Sequence, residues 1–304
     1  MPEDFDDRFR AAAFAYLHGL IDRSGGLVTR SELEAFPFDG KRVRLIAPQQ
    51  GIWAPKGLDA ALTIMTTFAA SPEQRPYADE VGPDGYQRYK WRGTDAEMSD
   101  NRRLRAAMKL GKPLVWLLGV APGIYQPAYP VWLVAEESDQ HQFVVALDEV
   151  ERDGWTPELA DRTPFDPLRR YAVVLARQRL HQRVFRGQVL VAYDRQCALC
   201  RLRHESLLDA AHIKEDSEGG KPVVPNGMAM CAIHHRAFDA NVLGVRPDHV
   251  VEIRSAVLAE HDGPTLRHAL QDLHGTTINL PRHRRDLPST ELLEERYQRF
   301  REAG

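Results

Sequence analysis

The chain has 304 residues, with 40 basic and 43 acidic side chains and a formal net charge of −3 at pH 7. A hydrophobic content of 43% is enough for ordinary cores and the length suits two domains, while no long uninterrupted apolar segment is present, which excludes a helical membrane protein and predicts a soluble one. The acidic opening MPEDFDDRFR lacks the basic region and small-residue cleavage site of a secretory signal, and thiols spaced for metal fit a reducing compartment, so a cytoplasmic protein is expected.

Along the chain, Phe9 to Asp22 has a helical pattern, and TRSELEAF after Gly25-Gly26 predicts a short second helix starting at Thr29. The period then changes. Val43 to Ile46, Leu62 to Phe68, Leu114 to Val120, Pro130 to Ala135 and Gln142 to Leu147 read as strands separated by Gly, Pro and Asp clusters, with a helix predicted over Ser99 to Leu110. Residues 40–150 therefore form a mostly β unit with one or two helices. Its aromatics, Trp53, Tyr77, Tyr86, Tyr89, Trp91, Tyr125, Tyr129 and Trp132, are interleaved with Arg88, Lys90, Arg92, Arg102, Arg103 and Arg105. A pocket for an extruded base needs aromatic faces to stack on it, a carboxylate or amide for its hydrogen-bonding edge and cations for the flanking phosphates, and YQRYKWRGTDAEMSDNRRLR over 86–105 contains all three. Trp53, Tyr89 and Trp91 are the candidate walls, and Arg102 and Arg103 candidate phosphate contacts. The same composition also fits an aromatic-rich β core with a solvated basic rim.

A helical linker follows at 166–190, within a concentrated run of positive charge. From Leu168 to Arg203 the chain carries Arg169, Arg170, Arg177, Arg179, Arg183, Arg186, Arg195, Arg201 and Arg203 against the single acid Asp194. Phosphate neutralisation supplies most sequence-independent affinity for nucleic acid, so Arg177, Arg179, Arg183 and Arg186 are candidate DNA contacts, although an Arg-rich helix can also be a solvated face. NLPRHRRDLP near the C-terminus is a second candidate.

The densest chemistry lies between Cys197 and Val245. Cys197 and Cys200 form a C-x-x-C knuckle, and Cys231, the remaining cysteine, is followed three residues later by His234. Three thiolates and an imidazole at paired knuckle spacing suit tetrahedral Zn2+ with every position closed, a structural arrangement, with His204 in reserve. Between the knuckles, Ser206 to Ile213 reads as a short strand in which Asp209 and His212 face opposite ways, offering a carboxylate to a metal and an imidazole to a nucleophilic water. Further on, His235 and Asp239 in HHRAFDA share one helical face and can close on one cation.

Taken together, DAAHI, PNG and HHRAFDA resemble the HNH endonucleases, the ββα-metal nucleases. The resemblance implies that His212 is the general base that deprotonates the attacking water, that Asn226 orients this base and braces the loop, and that His235 is a ligand of the catalytic ion. Asp209 is implied as a second ligand and Asp239 as a third. The chain departs from many relatives in having Ala211, where they carry an acidic residue or His directly before the base. Oxygen-rich ligation favours Mg2+ or Mn2+ at this reactive position, distinct from the thiolate-bound Zn2+.

The layout is also similar to that of modification-dependent restriction endonucleases, in which a PUA/SRA-like β-barrel reader precedes an HNH nuclease. The expected fold is thus α+β: a mostly β, PUA/SRA-like reader over 1–165, a basic helical linker over 166–190, and a zinc-stabilised ββα-metal domain over 191–304 ending in a helix after Pro288. The expected function is phosphodiester hydrolysis in double-stranded DNA carrying 5-methylcytosine, 5-hydroxymethylcytosine, N6-methyladenine or a backbone phosphorothioate. A sequence-specific or weakly specific HNH nuclease or nickase, and a non-catalytic zinc module that only binds nucleic acid, are the alternatives. A one-site nuclease that cuts both strands calls for two copies, so a homodimer is expected. Leu292, Leu293, Tyr297 and Phe300 make one apolar stripe on the last helix, available to a dimer or to its own domain.

Overall fold

A computed structural model describes residues 5–49, 51–68, 81–82, 84–156 and 167–303, of which residues 167–179 by their backbone alone. The chain is mixed α+β and divides into two units, Met1–His181 and Gln182–Gly304.

In the first unit, α1 (Phe5–Ser24) buries Phe9, Ala13, Leu17 and Leu20, a spacing of three to four that lines up one apolar stripe. The stripe shares a core with Leu62, Val115, Leu117 and Tyr125. After β1 (Val28–Thr29), the Thr29 hydroxyl accepts the Glu32 amide and the Glu32 carboxylate accepts the Thr29 amide, so a capping box starts α2 (Arg30–Leu33). A hairpin of β2 (Phe36–Phe38) and β3 (Lys41–Val43) follows, so the strand expected over Val43 to Ile46 lies earlier.

The main sheet combines β4 (Ile52–Trp53), β5 (Thr63–Thr66), β6 (Gln87–Lys90), β7 (Leu114–Ala121), β8 (Ile124–Glu137) and β9 (Gln142–Ala146) in the order β4-β5-β7-β8-β9-β6, with β1 also paired to β8. Among the described strands of this sheet, only β5 and β7 run parallel. Register shifts along β8, opposite both β7 and β9, mark bulges, and bulges bend and twist a strand, which curls the sheet. Helices α3 (Ser99–Lys109) and α4 (Glu149–Gly154) complete the described part of this unit.

Strand β6 escapes the hydrophobic pattern because QRYK is polar, yet Gln87, Arg88 and Tyr89 are buried. Arg88 stays charged there through paired hydrogen bonds to Asp84 and to Glu137, and burial of a guanidinium requires such partners. Some of the aromatics and cations of the candidate pocket are likewise committed to partners within this unit: Tyr86, which is buried, donates to the Glu151 carbonyl, and the partly buried Arg105 pairs with Glu136.

Helix α5 (Pro167–Ala192) leads into the second unit, where its Phe185, Val189 and Leu190 enter the core. There β10 (Leu208–His212) and β11 (Gly227–Cys231) form an antiparallel hairpin followed directly by α6 (Ala232–Asp239). A second hairpin, β12 (Leu243–Val245) and β13 (Val251–Ile253), short helices α7 (Ser255–Leu258) and α8 (Pro264–Ala269), and α9 (Thr290–Glu302) surround it. The stripe on α9 is spent within its own unit. Leu293 and Phe300 are buried, Leu292 packs on the core, and Arg296 donates to the Phe238 carbonyl and to Asn241 while lying over the Phe238 ring. Among the described residues, no helix is long and apolar enough to cross a membrane.

Candidate active site and metal centre

The knuckle Cys197–Cys200 closes as a tight turn: the Arg201 amide donates to the Cys197 carbonyl, with Arg201 in the left-handed region at φ 61°. The Ala198 amide ties this turn to the Ala229 carbonyl of β11 at 2.6 Å. Strand β11 ends at Cys231, which also starts α6, and one turn later α6 presents His234. The ligand atoms of Cys197, Cys200, Cys231 and His234 all lie within 4.8 Å of one another. His234 Nδ1 is 3.3 Å from the Cys197 sulfur and 3.1 Å from that of Cys231, and the Cys200 and Cys231 sulfurs are 4.0 Å apart. A tetrahedral zinc ion separates its sulfur and nitrogen ligands by about 3.5–3.8 Å, so small side-chain shifts would let the set close on such an ion. On its far side His234 donates from Nε2 to the Ala269 carbonyl at 2.7 Å, which leaves the Nδ1 lone pair directed at the sulfurs. Burial disfavours a charged His234, but its hydrogen bonds with the Cys197 and Cys231 sulfurs outweigh this and push its pKa up to about 10, so a cation bound through Nδ1 would displace the proton that the ring otherwise shares with the sulfurs. His204 bonds to Ser206 and stands outside the set.

The adjacent hairpin and helix carry the remaining candidates. In the β10–β11 register His212 faces Gly227 and Asp209 faces Met230. Asp209 Oδ2 lies 3.7 Å from His235 Nδ1, and Asp239 Oδ2 lies 3.5 Å from His235 Nε2. The two carboxylates therefore address opposite nitrogens of one ring, and a single ion cannot take both through His235. His212 feels both Asp209 and His235 electrostatically. Burial lowers the His212 pKa, against Glu215 and Asp216, which raise it. Its ring stacks on Phe185 with centroids 4.3 Å apart.

Asn226 is fully buried, and its side chain is committed to the loop after His212: Oδ1 accepts the Lys214 amide, and Nδ2 donates to the Lys214 and Lys221 carbonyls. These hydrogen bonds brace the turn out of β10. Arg186, a candidate phosphate contact by sequence, faces inward instead, donating to the Leu208 carbonyl at 2.7 Å and the Glu205 carbonyl at 2.9 Å, with Asp209 at 3.6 Å. Arg183 is exposed, whereas the side chains of Arg177 and Arg179, like those of Arg169 and Arg170, lie outside the described residues, as does Tyr77. Arg203 and Arg282 approach the same Asp194 carboxylate at 3.9 and 3.8 Å, so the two basic segments meet around one acid.

Residues 197–246 match the HNH endonuclease family model. This segment is similar to HNH endonucleases. No curated protein matches the chain. Among solved structures, it is similar to a modification-dependent TagI restriction endonuclease at 16% identity and TM-score 0.29, over 83% of this chain and 85% of that one. It is also similar to the type IV phosphorothioation-dependent restriction endonuclease ScoMcrA at 13% identity and TM-score 0.25, over 84% of this chain and 52% of that one. The chain thus spans about half the length of ScoMcrA. The HNH segment contains Cys197, Asp209, His212, Asn226, Cys231, His234, His235 and Asp239 together, whereas Phe185 and Arg186 precede it on α5.

In the first unit, a cavity of about 200 Å³ is lined by Gln49, Gly51, Ile52, Met65, Thr66, Thr67, Tyr89, Lys90, Trp91 and Arg92. Tyr89 and Trp91 of the candidate walls line it. Trp53 does not: its indole donates to the Arg44 carbonyl. Arg102 is exposed on α3 and Arg103 is partly buried there, and neither lines the cavity.

Proposed function

We propose that this chain is a DNA endonuclease that hydrolyses phosphodiester bonds by the HNH one-metal mechanism and that its first unit makes cutting depend on a modified base. The carrying observation is the approach of Asp209 to His235 across the hairpin–helix junction, with His212 three residues further along the same strand. In this reading the unprotonated His212 takes a proton from the attacking water, and Asn226 keeps the loop after it in place. Asp209 and His235 Nδ1 would hold Mg2+ or Mn2+, since about 2.1 Å to each ligand can bridge their separation. Such an ion, when bound, stabilises the charge of the pentavalent phosphate and the leaving 3′ oxygen. We assign Asp239 a supporting part: a ligating histidine commonly donates its other ring N–H to a carboxylate, which fixes tautomer and ring plane. Cys197, Cys200, Cys231 and His234 would hold a structural Zn2+ that fastens β11 and α6.

The exposed Arg183 and the Arg203–Arg282 pair supply phosphate contacts in this account, with Arg102 and Arg103 available on the first unit. Residues 1–165 act as a PUA/SRA-like reader, residues 166–190 as the basic linker and residues 191–304 as the nuclease. The cavity walled by Tyr89 and Trp91, with Lys90 and Arg92 beside it, has the aromatic faces and cations that an extruded base and its phosphates need. Cutting both strands would use two copies of the chain in the cytoplasm, joined by a surface other than the spent stripe of α9.

The test is cleavage of matched plasmids that are unmodified or carry 5-methylcytosine, 5-hydroxymethylcytosine, N6-methyladenine or phosphorothioate, with Mg2+ or Mn2+ and an EDTA control. Cutting of one modified substrate alone is expected. Equal cutting of all would leave an HNH nuclease of another specificity, and no cutting with any metal would leave a zinc-containing binding module.

A further inference from the structure

We infer that Phe185 is a positioning residue for His212 and that position 227 is glycine so that Phe185 can reach it. The inference rests on the reading of His212 as the general base. Phe185, on α5, is 2% exposed and lies against the His212 ring with an interplanar angle of 25°. Directly across the hairpin from His212 is Gly227. A Cβ there would stand 2.6 Å from Val189 Cγ2 and 2.7 Å from Phe185 Cζ, and both side chains are fixed in the core. The backbone at 227, at φ −138° and ψ 149°, is ordinary extended chain that any residue adopts. Glycine is therefore required by the close approach of α5 to β11 and not by conformation.

The chemistry explains why a stack suits this position. His212 is the last residue of β10, half-buried, and among the described residues nothing hydrogen-bonds to either of its ring nitrogens. An imidazole oriented by a hydrogen bond gives up one nitrogen to its partner. A ring oriented by an aromatic face keeps both in-plane nitrogens available while losing rotation about its side-chain bonds. Covering one face with hydrocarbon also removes water from it, in keeping with the lowered His212 pKa. Phe185 thus fixes the plane in which the base meets water without competing for the proton.

The experiment compares F185L and F185M, with G227A and H212A, in steady-state cleavage of a plasmid that the wild type cuts with Mn2+, alongside zinc content and thermal melting. F185L and F185M are expected to lose about 10- to 100-fold in kcat with KM and zinc content unchanged, because small misplacement of a reacting group costs this much. G227A, which pushes Phe185 away, should behave like F185L. Wild-type kcat in F185M while H212A is inactive would overturn the positioning role and leave the base reading standing, and an active H212A would overturn the base reading itself. If the aliphatic variants do not fold, proton NMR of the wild type decides: the His212 ring protons, lying over a phenyl face, must appear upfield of those of the exposed histidines, and unshifted resonances overturn the inference.

Discussion

His235 and Asp209 meet across the junction of strand and helix, Nδ1 to Oδ2 at 3.7 Å, while Asp239 stands at the opposite ring nitrogen. This asymmetry separates two acids that spacing alone leaves equivalent. D209N is expected to weaken Mn2+-dependent cleavage beyond recovery at millimolar metal. D239N should instead cost about 10- to 100-fold in apparent metal affinity, as losses of ligand-orienting groups do, and recover activity as Mn2+ is raised. Metal titrations of cleavage by both variants check this, and the reverse order would exchange the roles.

Loss of the Cys3His set should act on stability first. C231S or H234A is expected to release zinc and melt the nuclease unit, because metal binding contributes on the order of 10 kcal/mol to small folds of this kind. Metal analysis together with thermal melting reads the outcome. A zinc-free variant that melts like the wild type would contradict the ligand set.

The pH profile should carry the mark of His212. Its pKa is lowered, first by burial, and a base works in its neutral form, so activity is complete above that lowered pKa and is lost as pH falls through it. The acid limb of kcat/KM should therefore lie below the ordinary imidazole value of about 6.5. A limb at or above that value speaks against His212 as the base.

Arg183 and Arg186, three residues apart on α5, should separate cleanly. Exposed Arg183 is expected to reduce the salt slope of DNA binding by about 1 when changed to Ala, with little effect on stability. R186A should instead lower stability by about 1–3 kcal/mol, through the stranded Leu208 and Glu205 carbonyls. Binding isotherms at several salt concentrations and chemical denaturation distinguish the two.

Thr67 is exposed at the cavity walled by Tyr89 and Trp91. T67W should plug it without disturbing the core, abolishing discrimination between modified and unmodified plasmid while sparing the fold. Unchanged discrimination would move the reader pocket elsewhere.

How far the chain is legible without its structure depends on how local the signal is. The two ligand pairs of the Cys3His set are readable because each knuckle is a fixed short spacing, and the box at Thr29 and Glu32 starts its helix as such boxes do. Strands Leu114–Ala121 and Gln142–Ala146 announce themselves as apolar runs between turns. Strand Gln87–Lys90 does not, because its buried arginine is neutralised by Asp84 and Glu137, the latter 49 residues away. Trp53 and Trp91 look alike as aromatics beside cations, and only the sheet order decides which of them reaches the cavity. Phe185 is hidden for a related reason: it sits in an arginine-rich helix, 27 residues before the histidine it supports, and the one local trace of the contact is the glycine of PNG.

The most direct test of the nuclease account is plasmid cleavage by H212A beside the wild type, at equal protein concentration with Mg2+ and with Mn2+, with DNA binding and zinc content measured on the same preparations. The account predicts that H212A binds DNA and zinc as the wild type does and leaves the plasmid uncut. Cleavage by H212A at the wild-type rate would contradict it.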